Sequence, residues 1–151
     1  MVSRAVIDDF LAQRSLALAG VSRDGRTGFG NAVRKDLAAK GYAMLVVHPE
    51  AETIGGQPCA RSVREVADRV GGLVLVTPPA ATEGLVREAA EAGIRRVWMQ
   101  QGAESAEAIR VCEERGIAVV HHECIMMFSE PVGSFHGFHR WLRRVFRGLP
   151  E

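Results

Sequence analysis

The stretch from Ser15 to Gly41 constrains the fold more than any other part of the chain. It opens with an apolar run, residues 16–19, that is typical of a buried parallel strand. From Asn31 onward the apolar residues recur at helical spacing until Lys40-Gly41 ends the helix. Between strand and helix lies a turn that contains four glycines, Gly20, Gly25, Gly28 and Gly30. Such a turn lets backbone amides approach a diphosphate, and the helix adds the positive end of its dipole.

This turn is not the G-x-G-x-x-G dinucleotide fingerprint, and its residues 20–28 are called the glycine turn below. It places Ser22 two residues after Gly20, and arginines follow at positions 23 and 26. The Ser22 hydroxyl is a hydrogen-bond donor, and Arg23 and Arg26 offer charge-assisted hydrogen bonds to phosphate. A glycine-rich turn can also serve chain geometry alone, and that alternative stays open at this point.

Strand and helix patterns alternate along the rest of the chain. The apolar runs predict strands over 43–47, 72–77, 96–99 and 118–121, and the 72–77 run is the most apolar and is expected to be central. Helices are predicted over 2–14, 62–70, 80–92 and 105–115, the second of them from a Ser62–Glu65 capping box. This order predicts an α/β fold, a Rossmann-like doubly wound parallel five-stranded sheet with helices on both faces. Ligands of such sheets bind beyond the carboxyl ends of the strands.

Length and composition narrow the class of protein. The 151 residues suit one domain, residues 1–133, followed by a C-terminal segment, residues 134–151. A formal net charge of +1 argues against a general nucleic-acid binder. No apolar run reaches membrane-spanning length, no secretion signal opens the chain, and the three cysteines show no C-x-x-C spacing. A cytoplasmic protein with reduced thiols is expected.

Several separated motifs together resemble one known family. They are LALAGVSRDGRTG at 16–28, VHP at 47–49, the G-x-x-C of 56–59, VTPP at 76–79, WMQQG at 98–102 and CIMMF at 124–128. Over about residues 5–128 the chain resembles the small stand-alone CoA-binding proteins. Their domain is similar to the nucleotide-binding domain of the succinyl-CoA synthetase alpha subunit. The resemblance implies a CoA-binding or acyl-CoA-binding protein without catalysis, acting as a carrier, sensor or partner module.

The resemblance also implies a set of binding residues. The diphosphate would lie on Gly20, Val21, Ser22 and Arg23, and the phosphate side of the site would extend to Arg26, Gly30 and Asn31. The adenosine would be bordered by His48 and Pro49. The nucleotide and the start of the pantetheine would be flanked by Thr77, Pro78 and Pro79, and the far side would be lined by Gln100 and Gly102. No catalytic residue and no metal ligand is expected.

Because of Glu50, a second ligand remains an alternative to CoA. The family usually has asparagine at the position of His48 and often a basic residue soon after the proline, where this chain has Glu50. An acid there should repel the 3′-phosphate of CoA. An acid about 20 residues past the last loop glycine is also what NAD sites place on the ribose hydroxyl. The alternatives to CoA are therefore an NAD(P)-dependent oxidoreductase or NAD-binding regulatory domain, and an interaction module whose nucleotide fold is unused.

A possible metal cluster lies near the predicted last strand. His121, His122, Glu123 and Cys124 are all ligand types, and His136 and His139 follow. Neighbours on a strand point to opposite faces, so His121 and His122 are not expected to share a metal. We interpret both as surface or loop residues.

The C-terminal segment is predicted to form a basic amphipathic helix after Ser134. One face collects Phe135, Phe138, Trp141, Leu142, Val145, Phe146 and Leu149, and the rest is basic, with Arg140, Arg143, Arg144 and Arg147. Such a stripe needs cover from the same domain or from a second subunit, and a membrane surface is the less favoured partner. A homodimer through this helix is predicted.

Overall fold

The computed structural model describes residues 2–130, so the predicted C-terminal helix lies outside the described part of the chain. The helices are α1 (Arg4–Leu11), α2 (Phe29–Ala39), α3 (Pro79–Glu91), α4 (Ala106–Glu114) and α5 (Ile125–Phe128). The strands are β1 (Ser15–Ala19), β2 (Ala43–Val47), β3 (Thr53–Ile54), β4 (Gln57–Pro58), β5 (Gly72–Leu75), β6 (Arg96–Gln100) and β7 (Ala118–Glu123).

Five of these strands form one parallel sheet in the order β2–β1–β5–β6–β7. The most apolar run, β5, lies at its centre and is buried along its whole length. The chain passes from β1 to the edge strand β2 and then crosses back over β1 to β5. The predicted doubly wound Rossmann-like sheet is thereby confirmed.

Helices cover both faces of the sheet, and each face has its own apolar cluster. On one face α1, α2 and α5 pack against alternate strand residues, among them Leu16, Leu18, Val74 and Trp98. On the other face α3 and α4 pack against the residues between them, among them Ala17, Ala19, Leu73 and Leu75. This alternation follows from the two-residue period of a strand buried on both sides. Within residues 2–130 no helix is both long enough and apolar enough to cross a membrane.

The predicted helix over 62–70 is wrong. The segment forms two short 3₁₀ turns, Val63–Glu65 and Ala67–Arg69. The expected capping box does not form, because the Ser62 side chain caps no amide and the Glu65 carboxylate accepts from the Arg61 N–H instead, at 3.0 Å. Val63 and Val66 are both buried, and the three-residue turn of a 3₁₀ helix places them on one side.

The loop between β2 and the 3₁₀ turns contains a small antiparallel hairpin, β3–β4. Gly55 and Gly56 form its tip, and both have positive φ, as the tight hairpin turn requires. Each strand has only two residues, which is too short to leave a periodic pattern in the sequence.

Candidate functional site

The order of the strands reverses between β1 and β5, and the glycine turn begins at that point. Gly20 has a φ of +105°, and a Cβ on it would lie 2.1 Å from the Val76 carbonyl oxygen. The backbones that leave β1 and β5 are therefore in direct contact. In an open α/β sheet this reversal point is where ligands bind.

Helix α2 starts directly against the same turn. A Cβ on Gly30 would lie 2.1 Å from the Gly20 carbonyl oxygen, so only glycine allows this approach. The amino ends of α1 and α4 are capped by serine side chains, Ser3 and Ser105, whereas α2 has Gly28 at that position and no side-chain cap. The first-turn N–H groups of α2 are thus left to a ligand or solvent.

Hydrogen bonds inside the glycine turn fix its shape. The Asn31 Nδ2 group, which is fully buried, donates to the Ser22 and Thr27 carbonyls at 3.2 and 2.8 Å. The Asp24 carboxylate accepts from the Thr27 hydroxyl at 2.5 Å and from the Arg26 and Thr27 N–H groups. These bonds, above all the one from the Thr27 hydroxyl, lower the pKa of Asp24 to about 2. Asn31 therefore shapes the turn from within, while the Arg26 residue remains exposed.

Arg23 forms an ion pair with Glu50, and both side chains are exposed. The pair connects the glycine turn to the residues that follow β2. Glu50 is thereby held by a cation of the turn, one residue beyond the exposed Pro49.

A cavity of about 370 Å³ opens between these elements, on the face of the sheet that α3 covers. Five of the residues predicted for the site line it: Gly20, Val21, His48, Pro49 and Thr77. The other lining residues were not predicted as site residues: Ala19, Val47, Arg61, Ser62, Ala81, Leu85 and Glu88. The helical spacing of Ala81, Leu85 and Glu88 after the VTPP motif is a signal that could have indicated one wall. Arg61 and Ser62 follow the β3–β4 hairpin, and no sequence pattern indicates that this loop brings them to the cavity.

Two hydrogen bonds hold the imidazole ring of His48 in place. Its Nδ1 atom accepts from the Glu50 and Ala51 N–H groups at 3.1 and 2.9 Å. Partial burial, with a smaller contribution from the charge of Arg23, lowers the pKa of His48. The neutral ring consequently carries its proton on Nε2, because Nδ1 is an acceptor.

Thr77 and the two prolines form the start of α3. The Thr77 and Thr82 hydroxyl oxygens lie 2.7 Å apart, and the Thr82 hydroxyl also donates to the Pro78 carbonyl at 3.3 Å. The two hydroxyls share one hydrogen bond, and Thr77 lines the cavity. Pro78 precedes the helix and Pro79 is its first residue, where a missing N–H costs nothing.

Gln100 and Gly102 do not line this cavity. Gln100 is 1% exposed; its Nε2 group donates to the Cys124 Sγ atom at 2.9 Å and its Oε1 atom accepts from the Ile125 N–H at 2.9 Å. The Gly102 N–H donates to the Glu104 carboxylate at 3.0 Å. Gln100 thus connects β6 to the start of α5, and its side chain is used inside the fold.

His121 and His122 are arranged differently from the expectation. The pairing of β6 with β7 shifts register between Trp98 and Gln100, and His122 has a φ of +60°. This irregularity turns the two rings toward each other, with 2.6 Å between their Nδ1 atoms, so the expectation of opposite faces is wrong. The Nε2 atom of His122 lies 3.5 Å from Glu104. Among residues 2–130, no group of three or more histidine, cysteine or acidic side chains is placed to hold a metal ion.

Known proteins share this architecture. A conserved hypothetical protein from Pyrococcus furiosus matches with 41% identity and a TM-score of 0.71, over 75% of this chain and 97% of its own. A hypothetical protein from Pyrococcus horikoshii OT3 matches with 27% identity and a TM-score of 0.75, over 83% and 88% of the two chains.

A dinucleotide-forming acetyl-coenzyme A synthetase from Ca. Korarchaeum cryptofilum shares the fold, with 22% identity and a TM-score of 0.60 over 71% of this chain and 25% of its own. The model of the CoA binding domain family matches residues 14–130, which is most of the chain and nearly all of its described part. The chain belongs to the CoA binding domain family.

Proposed function

We propose that the protein binds CoA or an acyl-CoA, with the diphosphate at Gly20–Arg23 and the adenosine in the cavity beside His48 and Pro49. Its role would be that of a carrier, sensor or partner module without catalysis of its own. The observation that carries this proposal is the junction of β1, β5 and α2 at Gly20, in a chain of the CoA binding domain family.

The phosphate side of the proposal rests on the uncapped start of α2. Phe29 and Gly30 begin this helix without a side-chain acceptor before them, and the helix dipole favours an anion there. Ser22 and Arg23 are both exposed in the turn that faces this helix end. A diphosphate would accept hydrogen bonds from the backbone, from a hydroxyl and from a guanidinium at once.

The nucleoside side of the proposal rests on the cavity. Its volume, about 370 Å³, falls within the range of roughly 300–1,000 Å³ that is typical of small-molecule sites. Its walls combine aliphatic surface from Val47, Ala81 and Leu85 with polar residues that include His48 and Thr77. A flat, polar-edged ring system has the chemistry that such walls accommodate.

NAD is the alternative ligand to CoA, and its binding would require Glu50 to bind the ribose hydroxyls. A ribose-binding acid at the end of β2 must be free to accept from the two hydroxyls. Glu50 lies beyond Pro49, three residues after the end of β2, and this position favours CoA over NAD as the proposed ligand.

Isothermal titration of the full chain with CoA, acetyl-CoA, NAD and NADP tests the proposal. We expect saturable binding of CoA and acetyl-CoA with a stoichiometry of one per chain, and weaker or no binding of NAD and NADP. Stronger binding of NAD would overturn the ligand, and binding of none of the four would favour an interaction module.

A further inference from the structure

Arg34 lies on α2, one turn after Asn31, and connects the glycine turn to the β3–β4 hairpin. Its Nε atom donates to Asn31 Oδ1 at 3.2 Å, and its Nη2 atom donates to the Gly25 carbonyl at 3.1 Å. The side chain is partly buried and does not line the cavity. Arg34 therefore contacts the glycine turn without forming part of the cavity wall.

The hairpin tip lies against the same guanidinium. A Cβ on Gly55 would lie 2.9 Å from Arg34 Nη2, and a Cβ on Gly25 would lie 2.7 Å from the Gly55 nitrogen. The backbones of the turn and of the hairpin are thus in contact, with the guanidinium beside both. Neither glycine leaves room for a side chain.

Arg34 also fixes the orientation of the Asn31 amide. Because Asn31 Oδ1 accepts from Arg34, its NH₂ end faces the turn, where it holds the Ser22 and Thr27 carbonyls. The guanidinium of Arg34 is therefore linked to the turn twice, once through the Asn31 side chain and once by its own hydrogen bond to the Gly25 carbonyl.

We propose that Arg34 is a positioning residue for the diphosphate of the ligand. It lines no part of the cavity, holds the glycine turn in its binding conformation through Asn31 and Gly25, and lies against the tip of the hairpin. The inference rests on the proposed function for its ligand, although the locking of the turn can be tested without one. A turn that is ordered before binding loses less conformational freedom when the ligand arrives, and this raises affinity.

The test compares two ligands that share the adenosine but differ in the diphosphate. Arg34→Met keeps the aliphatic stem and removes all three nitrogen donors. We expect the affinity for ADP to fall about tenfold, the scale of one to two lost charge-assisted hydrogen bonds, and the affinity for adenosine to change less than about twofold. Arg110→Met is the matched control, since Arg110 also pairs with the residue three positions before it, Glu107, on a helix remote from the turn.

Amide hydrogen exchange supplies a readout that needs no ligand. In Arg34→Met the N–H groups of Gly25, Arg26 and Thr27 should exchange faster, while those of β1 and β5 should keep their protection. Arg34→Lys retains the charge and a single donor group, so it should fall between the two proteins in both measurements. It also keeps the test available if the methionine variant folds poorly.

Equal losses of ADP and adenosine affinity, or unchanged exchange at the three turn amides, would overturn the positioning role. If the wild-type chain binds neither CoA nor ADP, the proposed function fails. The exchange result alone then decides whether Arg34 locks the turn.

Discussion

Arg23 and Glu50 form an ion pair between the glycine turn and the residues that follow β2. The guanidinium proposed to bind the ligand diphosphate is therefore held by a carboxylate of the same chain. An arriving anion would exchange with Glu50 at Arg23 or bind a second edge of the guanidinium beside it. The pair lies next to the cavity residues Val21 and Pro49, so this exchange would take place at the edge of the site.

Glu50→Gln should strengthen CoA binding. Exposed ion pairs contribute about 0.2–1 kcal/mol, so we expect a gain of at most about fivefold in affinity by isothermal titration. If release of Arg23 is the cause, dephospho-CoA should gain as much as CoA. If repulsion of the 3′-phosphate is the cause, only CoA should gain. Glu91→Gln, which breaks the exposed pair with Arg64, is the control and should change neither affinity.

Arg23→Ala should weaken CoA binding by about 1–3 kcal/mol, the scale of a hydrogen bond between a charged donor and a phosphate. Arg87→Ala removes another exposed, ion-paired arginine, the partner of Glu107 on α4, and should leave the affinity unchanged. Titration of both variants with CoA makes the comparison. Equal affinities in the two variants would remove Arg23 from the site.

Gln100→Leu should destabilise the fold rather than the complex. The substitution leaves the buried Ile125 N–H without its acceptor, which should lower the free energy of unfolding by about 1–3 kcal/mol in urea titrations. CoA affinity should change by less than about twofold. The neighbouring Gln101 is exposed, and Gln101→Leu should alter neither quantity. A loss of CoA affinity at unchanged stability would show instead that Gln100 binds the ligand.

The stability contribution of His48 should disappear on acidification. Burial lowers its pKa in the folded state below the unfolded value of about 6.5, so the unfolded chain binds the proton more tightly. The contribution is complete above the unfolded pKa and is lost as the pH falls through the folded pKa. His48→Asn supplies an uncharged acceptor for the two N–H groups. Its free energy of unfolding should decline less between pH 7 and 5 than that of the wild type, and equal slopes would refute this assignment.

The apolar stripe of the C-terminal segment predicts a homodimer. The residues of this stripe lie outside the described part of the chain. Burial of each large apolar side chain contributes about 1.5–3 kcal/mol, so a stripe of seven such residues is costly to leave in water. Phe138→Asp combined with Val145→Asp should convert a dimer into a folded monomer in light scattering. A monomeric wild type with this segment protected from hydrogen exchange would indicate docking on its own domain.

The sequence predicts the sheet well because its signals are local. Five apolar runs, separated by helical spacing and glycine stops, place β1, β2, β5, β6 and β7 within a few residues of their observed ends. The same reading is wrong over 62–70, where Glu65 bonds the Arg61 N–H and the capping box does not form. A capping motif indicates which hydrogen bonds can form, and tertiary packing determines which of them do form.

The candidate site was predictable only where a motif lies on a strand exit. Gly20 and His48 directly follow β1 and β2, Thr77 lies two residues after β5, and all three line the cavity. Arg61 and Ser62 reach it through the hairpin loop, and the use of Gln100 inside the fold depends on a partner 24 residues away. The His121–His122 contact depends on a shift in strand register, which strand periodicity does not encode.

The contact of Gly20 with Val76 on one side and Gly30 on the other has a kinetic consequence. With backbone touching backbone on both flanks, the turn cannot swing aside to admit a ligand without separating β1 from β5 or from α2. Among the described residues, the exposed side chains of Arg23 and Glu50 can still move aside, since exposed side chains reorient within nanoseconds. For a ligand bound as proposed, the described residues would impose no slow backbone opening, and its residence time would follow from how strongly it is held.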